Sequence, residues 1–233
     1  MDILERKYRV PASGLSSREL FLLLQEVSTI HCDELGYGME VVGPRGLIWV
    51  VVRQRLELTD YPKPGEEICL RTWPGLTRHG MFPRYYIMEN SEGRRLGEAC
   101  ALWTLVDAES RRMVRPEDYG VDLKGLKTGL EGALPRAPEK LEQQESRVFV
   151  VPESYLDRNG HMNNTRYYQL AEESIGPEAL AGRTLCRAVT EFSAEALLGD
   201  ALTIRSGRNG SCFYVTGDTE EAIFKMHLEY KEY

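Results

Sequence analysis

YLDRNGHMNNTRYYQLAEES, residues 155–174, is the stretch from which the rest of the chain can be read. Asp157, Asn159 and His161 stand at i, i+2 and i+4, a spacing that puts three side chains on one side of an extended segment. Asn163 or Asn164 can cap a following helix, because a short amide accepts from the orphan N–H groups of a first turn. A polar cluster would then lie beside a helix N-terminus, whose free N–H groups favour developing negative charge. Read alone, the stretch serves equally well as a decorated turn: Asn-Gly is a common turn dipeptide and Asn-Asn an ordinary cap.

Outward from it, the helix TRYYQLAEES has an earlier counterpart. Ser16 and Glu19 form an S-x-x-E capping box ahead of LFLLLQEVSTIHCDELG, where Leu20, Leu23, Leu24, Val27 and Ile30 recur at helical spacing. Phe21 and Leu22 add apolar surface on other faces, which predicts an enclosed helix. Strand patterns follow at 46–60, 66–74, 81–90 and 95–108, parted by Gly-, Pro- and Asn-containing turns. One helix and then a run of antiparallel strands is an α+β pattern.

The same order returns in the second half. RVFVV (147–151) matches an opening strand at Tyr8–Val10, and LCRAVTEFSAEALLGDALTIRSG (185–207) parallels VVRQRLELTDYPKPGEEICLRTWPG (51–75). With one constant offset, Arg187 falls on Arg53, Glu191 on Glu57, Gly199 on Gly65 and Arg205 on Arg71. Residues 116–146 lose the strand pattern and read as a linker. The expected organisation is a first unit at 1–118, a linker at 119–146 and a second unit at 147–233, each a sheet wrapped around an apolar helix.

Composition narrows the function. Net charge is −7 and the pI near 5.3, against general nucleic-acid binding. Arg78, Arg84, Arg94, Arg95, Arg111, Arg112 and Arg115 could form a local basic patch for an acidic partner, or be solvated strand and turn positions. No apolar run approaches the roughly 18–20 residues of a membrane span, and MDILERKYRV lacks a signal peptide's apolar core. The five cysteines are scattered without CxxC spacing, so neither a disulfide framework nor a zinc site is predicted. The expected location is a reducing cytoplasm.

The duplicated unit, with LDRNGHMNNTRYYQ close to a D-x-N-x-H-x-N-N segment and EFSAEALLGD close to an E-[YF]-x-x-E-C segment, resembles the acyl-acyl-carrier-protein thioesterases of bacteria and plants. The resemblance covers nearly the whole chain and implies a tandem (double) hotdog, two antiparallel sheets each around a long central helix. It further implies hydrolysis of the thioester between a fatty acyl chain and the phosphopantetheine of acyl carrier protein, without cofactor or metal. The family's active Asp, Asn, His and Glu fall on Asp157, Asn159, His161 and Glu195. Where plant members often carry Cys after that Glu, this chain has Ala196, so a thiol nucleophile is not expected there.

In that scheme a base, a water and an oxyanion site suffice, because a thioester carbonyl is already electrophilic. Glu195, if buried near the acyl chain, would be the base; His161 would share that role or protonate the departing thiolate. Asn159 would place the water or carbonyl and Asp157 would orient the amide or imidazole. N–H groups at Asn164 and Thr165 would hold the oxyanion. A rival scheme makes Asp157 a nucleophile through a transient anhydride. The first unit has ASGLSSREL where the active segment would stand, so its core is expected to hold the acyl chain, with Leu20, Leu24, Val27, Trp49, Val51, Trp73 and Trp103 as tunnel walls or ordinary core. Glu172 and Glu173 read as solvated helix positions. An acyl-CoA thioesterase and a non-catalytic acyl-binding module are the alternatives, and a homodimer is neither required nor excluded by the residues.

Overall fold

Among the described residues ten β-strands lie in one antiparallel sheet, in the order β1-β3-β4-β5-β2-β7-β10-β9-β8-β6. The computed structural model describes residues 3–143, 145–157 and 159–232; Arg158 of the opening stretch lies outside them. The first half runs β1 (Leu4–Arg9), α1 (Ser17–Glu34), α2 (Met39–Val42), β2 (Leu47–Leu58), β3 (Glu67–Pro74), β4 (Phe82–Asn90) and β5 (Arg95–Asp107). The second runs β6 (Glu145–Val150), α3 (Arg166–Ile175), α4 (Pro177–Leu180), β7 (Arg183–Phe192), β8 (Ala201–Asn209), β9 (Cys212–Asp218) and β10 (Ala222–Glu232). The architecture is α+β, a helix-in-sheet unit in duplicate. The two sheets expected from the repeat are halves of one sheet, and the second helix is short.

The halves join where β2 pairs with β7, and the register shows the repeat directly. Arg53 faces Glu191 and Glu57 faces Arg187, the residues that the constant offset aligns, now exchanged across a local two-fold. Each pair is an ion pair: Arg53 Nη2 to Glu191 Oε2 is 2.6 Å, and Arg187 Nε to Glu57 Oε1 is 3.4 Å.

Helix α1 begins as its sequence dictates. Glu19 N–H donates to Ser16 Oγ at 3.2 Å, and Ser16 N–H donates back to the Glu19 carboxylate at 2.7 Å, completing the capping box. Leu20, Phe21, Leu24 and Val27 are buried in one core with Tyr167, Tyr168 and Leu170 of α3. The helices meet through Phe21, which stacks on Tyr168 with ring centroids 3.6 Å apart. The Tyr168 hydroxyl donates to Gln54 on β2 at 3.0 Å and lies 2.9 Å from Thr190 Oγ1 on β7, so this contact also ties both helices to the central strands.

The segment between the halves is a strap. Leu126 N–H donates to Pro74 O at 2.7 Å, the Arg55 guanidinium reaches Ala133 O, Glu139 O lies 3.1 Å from His227 Nδ1, and the Gln143 amide donates to Arg205 O at 3.0 Å. It therefore crosses the face away from the helices, from β3 to β8. It passes so near Gly207 that a Cβ there would collide with Glu142 O.

Trp73 belongs to this outer face. It packs with Tyr85, Ile87, Cys100 and Leu126, because side chains alternate along β3 and Ile68 and Leu70 take the inner positions. The sheet thus separates Trp73 from the other residues expected to wall a tunnel. Leu20, Leu24, Val27 and Val51 share the helix-side core; Trp49 and Trp103 pack on a neighbouring cluster around Phe82 and Leu105.

Glu172 is not a solvated position. Its carboxylate accepts from Ser17 Oγ at 2.5 Å and from the Tyr230 hydroxyl at 3.1 Å, between the start of α1 and β10. Burial pushes its pKa up from 4.5, outweighing the two donors. A raised folded-state pKa means the folded chain binds the proton more tightly. Its stabilising contribution is full below the unfolded value and lost as pH rises through the folded one. Glu172→Gln stays neutral and keeps an acceptor. Thermal melts should show the variant more stable than the parent at pH 8, by a few degrees, with the gap closing toward pH 4. A constant gap would refute the burial argument.

Candidate active site

The site is built by two loops clipped together. Beyond β7, residues 193–200 turn back and are braced at both ends. Ser193 N–H donates to Ile223 O at 2.8 Å, Leu197 N–H to Asp200 Oδ2 at 2.8 Å, and Gly199 N–H to Val151 O at 3.0 Å. Glu195 sits in this loop, past the end of β7. The opening stretch runs beside it: Met162 N–H donates to Ala196 O at 2.8 Å, and His161 forms a β-bridge with Leu197. These bonds bring His161 Nε2 to 3.4 Å from Glu195 Oε2.

Asp157, Asn159, Gly160 and His161 are bonded as a tight turn, not as an extended segment. Asp157 N–H donates to His161 O at 2.8 Å, and Asn159 N–H donates to Asp157 Oδ1 at 2.8 Å. Gly160 takes φ +81°, the left-handed conformation that glycine adopts without a Cβ penalty. The i, i+2, i+4 argument therefore does not hold. Asp157 braces the loop backbone that carries His161, and Asn159 stands exposed at its tip, not among the bonded contacts of His161 and Glu195.

The helix N-terminus is also arranged differently. Asn163 Oδ1 accepts from Thr165 N–H at 2.9 Å and from Thr165 Oγ1 at 2.7 Å. The Thr165 amide is thus already satisfied and Thr165 is buried, which removes it as an oxyanion donor. Asn164 is partly exposed next to it.

Glu195 is less enclosed than expected, with 33% of its side chain accessible against 12% for His161. Ala196 is fully buried, while Leu197 and Leu198 are exposed, so the loop turns its small residue inward and its large ones out. Thiol chemistry has little footing. Burial pushes Cys32 and Cys69 up to about 11 and Cys100 to about 12, and raises Cys186 and Cys212 as well.

One contact was not foreseen. Arg111 Nη2 lies 2.8 Å from His161 Nε2, and Nη1 lies 3.4 Å from both carboxylate oxygens of Glu195. Arg111 sits on the turn after β5, held where Asp107 Oδ1 accepts from Ser110 N–H and Oγ, each at 2.7 Å. Its φ of +58° is left-handed, a conformation that costs a non-glycine residue about 1–3 kcal/mol. The sequence marked Arg111 only as one of several arginines. What singles it out is the crossing from one half to the other.

A helix-in-sheet unit in duplicate, with its two central strands paired, defines a double-hotdog protein. Family profiles for the acyl-ACP thioesterase N-terminal domain and the acyl-ACP thioesterase C-terminal domain match residues 12–121 and 138–232. The chain belongs to the acyl-ACP thioesterase family. It is 26% identical over 206 residues to the chloroplastic palmitoyl-acyl carrier protein thioesterase of Cuphea hookeriana, covering 82% of this chain and 50% of that protein. This chain therefore spans about half the length of such curated relatives. Two solved structures attest the fold. An acyl-ACP thioesterase from Bacteroides thetaiotaomicron superposes with a TM-score of 0.81 at 18% identity, covering 98% of each chain. The 12:0-ACP thioesterase from Umbellularia californica gives 0.82 at 18% identity, covering 99% of this chain and 98% of that one.

Proposed function

We propose that the chain hydrolyses the thioester between a fatty acyl group and the phosphopantetheine of acyl carrier protein. The observation that carries this reading is the meeting of His161 and Glu195, on separate loops, inside a member of this family. Glu195 takes a proton from water as the oxygen attacks the carbonyl carbon. The tetrahedral oxyanion then collapses, the C–S bond breaks, and the thiolate takes up the proton that Glu195 removed from the water, with His161 hydrogen-bonded to the leaving sulfur. The products are a free fatty acid and the carrier's thiol. Asp157 keeps the loop that carries His161 in shape, which favours water attack over the anhydride scheme. Asn159, exposed at the tip, would meet the substrate from the solvent side, as would the partly exposed Asn164.

In this reading the second half, from residue 147, carries the chemistry, and the core of the first, up to residue 118, receives the acyl chain beside Leu20, Leu24, Val27 and Val51. The ten-stranded sheet forms within one chain, so a homodimer is not needed to build the fold. Among the described residues no helix is long and apolar enough to cross a membrane. Five free cysteines suit a reducing cytoplasm.

Thiol release from matched acyl carrier protein and acyl-CoA substrates tests the reading. The expected result is a higher kcat/KM on the carrier-bound substrate. Preference for CoA would move the chain to the CoA thioesterases, and acyl binding without thiol release would make it a binding module.

A further inference from the structure

His161 and Glu195 come from the second half, but a side chain that touches both comes from the first. A guanidinium only donates hydrogen bonds. The 2.8 Å contact from Arg111 Nη2 therefore requires Nε2 of His161 to present its lone pair, which leaves the proton of the neutral ring on Nδ1. Without Arg111, Nε2 would stand 3.4 Å from a carboxylate oxygen with nothing between. The ring would then gain by carrying its proton on Nε2 and donating it to Glu195.

We propose that Arg111 is a positioning residue for the hydrolysis: reaching across from the β5 turn, it keeps the His161 proton on Nδ1 and off Glu195. The carboxylate then faces water with its acceptor capacity free of the imidazole, and Nδ1–H remains to donate a hydrogen bond to the leaving sulfur while Glu195 returns the proton it took from the water. The inference rests on the reading that His161 and Glu195 carry the reaction. Two features of the turn suit this role. The Asp107–Ser110 bonds and the bond from Arg111 N–H to Asp107 O at 2.9 Å fix the turn. The left-handed backbone at Arg111 is retained although a glycine would adopt it without strain.

That last point supplies a fold-safe variant, since Arg111→Gly removes the guanidinium and relieves the backbone. Imidazole ¹⁵N spectra of the full chain, assigned with His161→Ala, should show Nδ1 protonated in the parent and Nε2 protonated in Arg111→Gly. An unchanged tautomer would overturn the proposal. In kinetics, Arg111→Gly should lower kcat on the order of 10²-fold and change KM within about 3-fold. Added guanidinium salt should restore part of the rate, and Arg111→Lys less than the parent rate because lysine lacks the fork. A rise in KM with kcat intact would make Arg111 a docking group and sink the idea. If His161→Ala and Glu195→Gln both keep turnover, the reading that these two residues carry the reaction falls, while the tautomer comparison still judges the role given to Arg111.

Discussion

Replacing His161 or Glu195 by alanine is expected to lower kcat by about 10²-fold or more, with the melting temperature nearly unchanged. The size follows from what is removed. Glu195 is the base in the proposed scheme, and a correctly placed base contributes two to four decades of rate. Stability should hold because both residues sit on loops clipped by main-chain bonds, Met162 N–H to Ala196 O and Gly199 N–H to Val151 O, which neither side chain makes. The two changes should also combine to less than the product of their separate effects, as groups acting in one step do. Turnover close to the parent in both variants would remove the proposed site.

Phe21→Ala should cost about 3–5 kcal/mol and lower the melting temperature by roughly 6–20 °C. Phe21 is fully buried, and its stack on Tyr168 is where the two helices touch. Tyr168 in turn bonds to Gln54 and lies against Thr190 on the paired central strands, so the cavity opens next to the joint and has little room to collapse. One sheet running through both halves also predicts a single cooperative transition. Two resolved transitions, with only one displaced by the substitution, would show that the halves unfold independently.

Much of this fold is legible because its signals are local or repeated. The capping box at Ser16 and Glu19 starts α1 where it stands, and the residues that the repeat aligns, Arg53 with Arg187 and Glu57 with Glu191, are the ones exchanged across the central strand pair. What stayed hidden depends on how distant pieces meet. Trp73 has the size and apolarity of a tunnel wall, but only the pleat of β3 decides which face it takes. Glu172 looks solvated until Ser17 and Tyr230 are brought around it. Asn159-Gly160 reads as a turn dipeptide and the i, i+2, i+4 spacing as an extended segment, and only the bonds from Asp157 to His161 and Asn159 decide between them. Arg111 is one arginine among many until the turn after β5 delivers it to His161.

The β2–β7 joint has one more consequence. Each half presents the same edge, and that edge complements a copy of itself: an arginine and a glutamate placed so that antiparallel approach exchanges them. Sliding one strand along the other until Arg53 met Arg187, or Glu57 met Glu191, would set like charges opposite each other across the ladder. The joint is thus an isologous interface written inside a single polypeptide, and its charges reject misaligned pairings as well as favouring the native one.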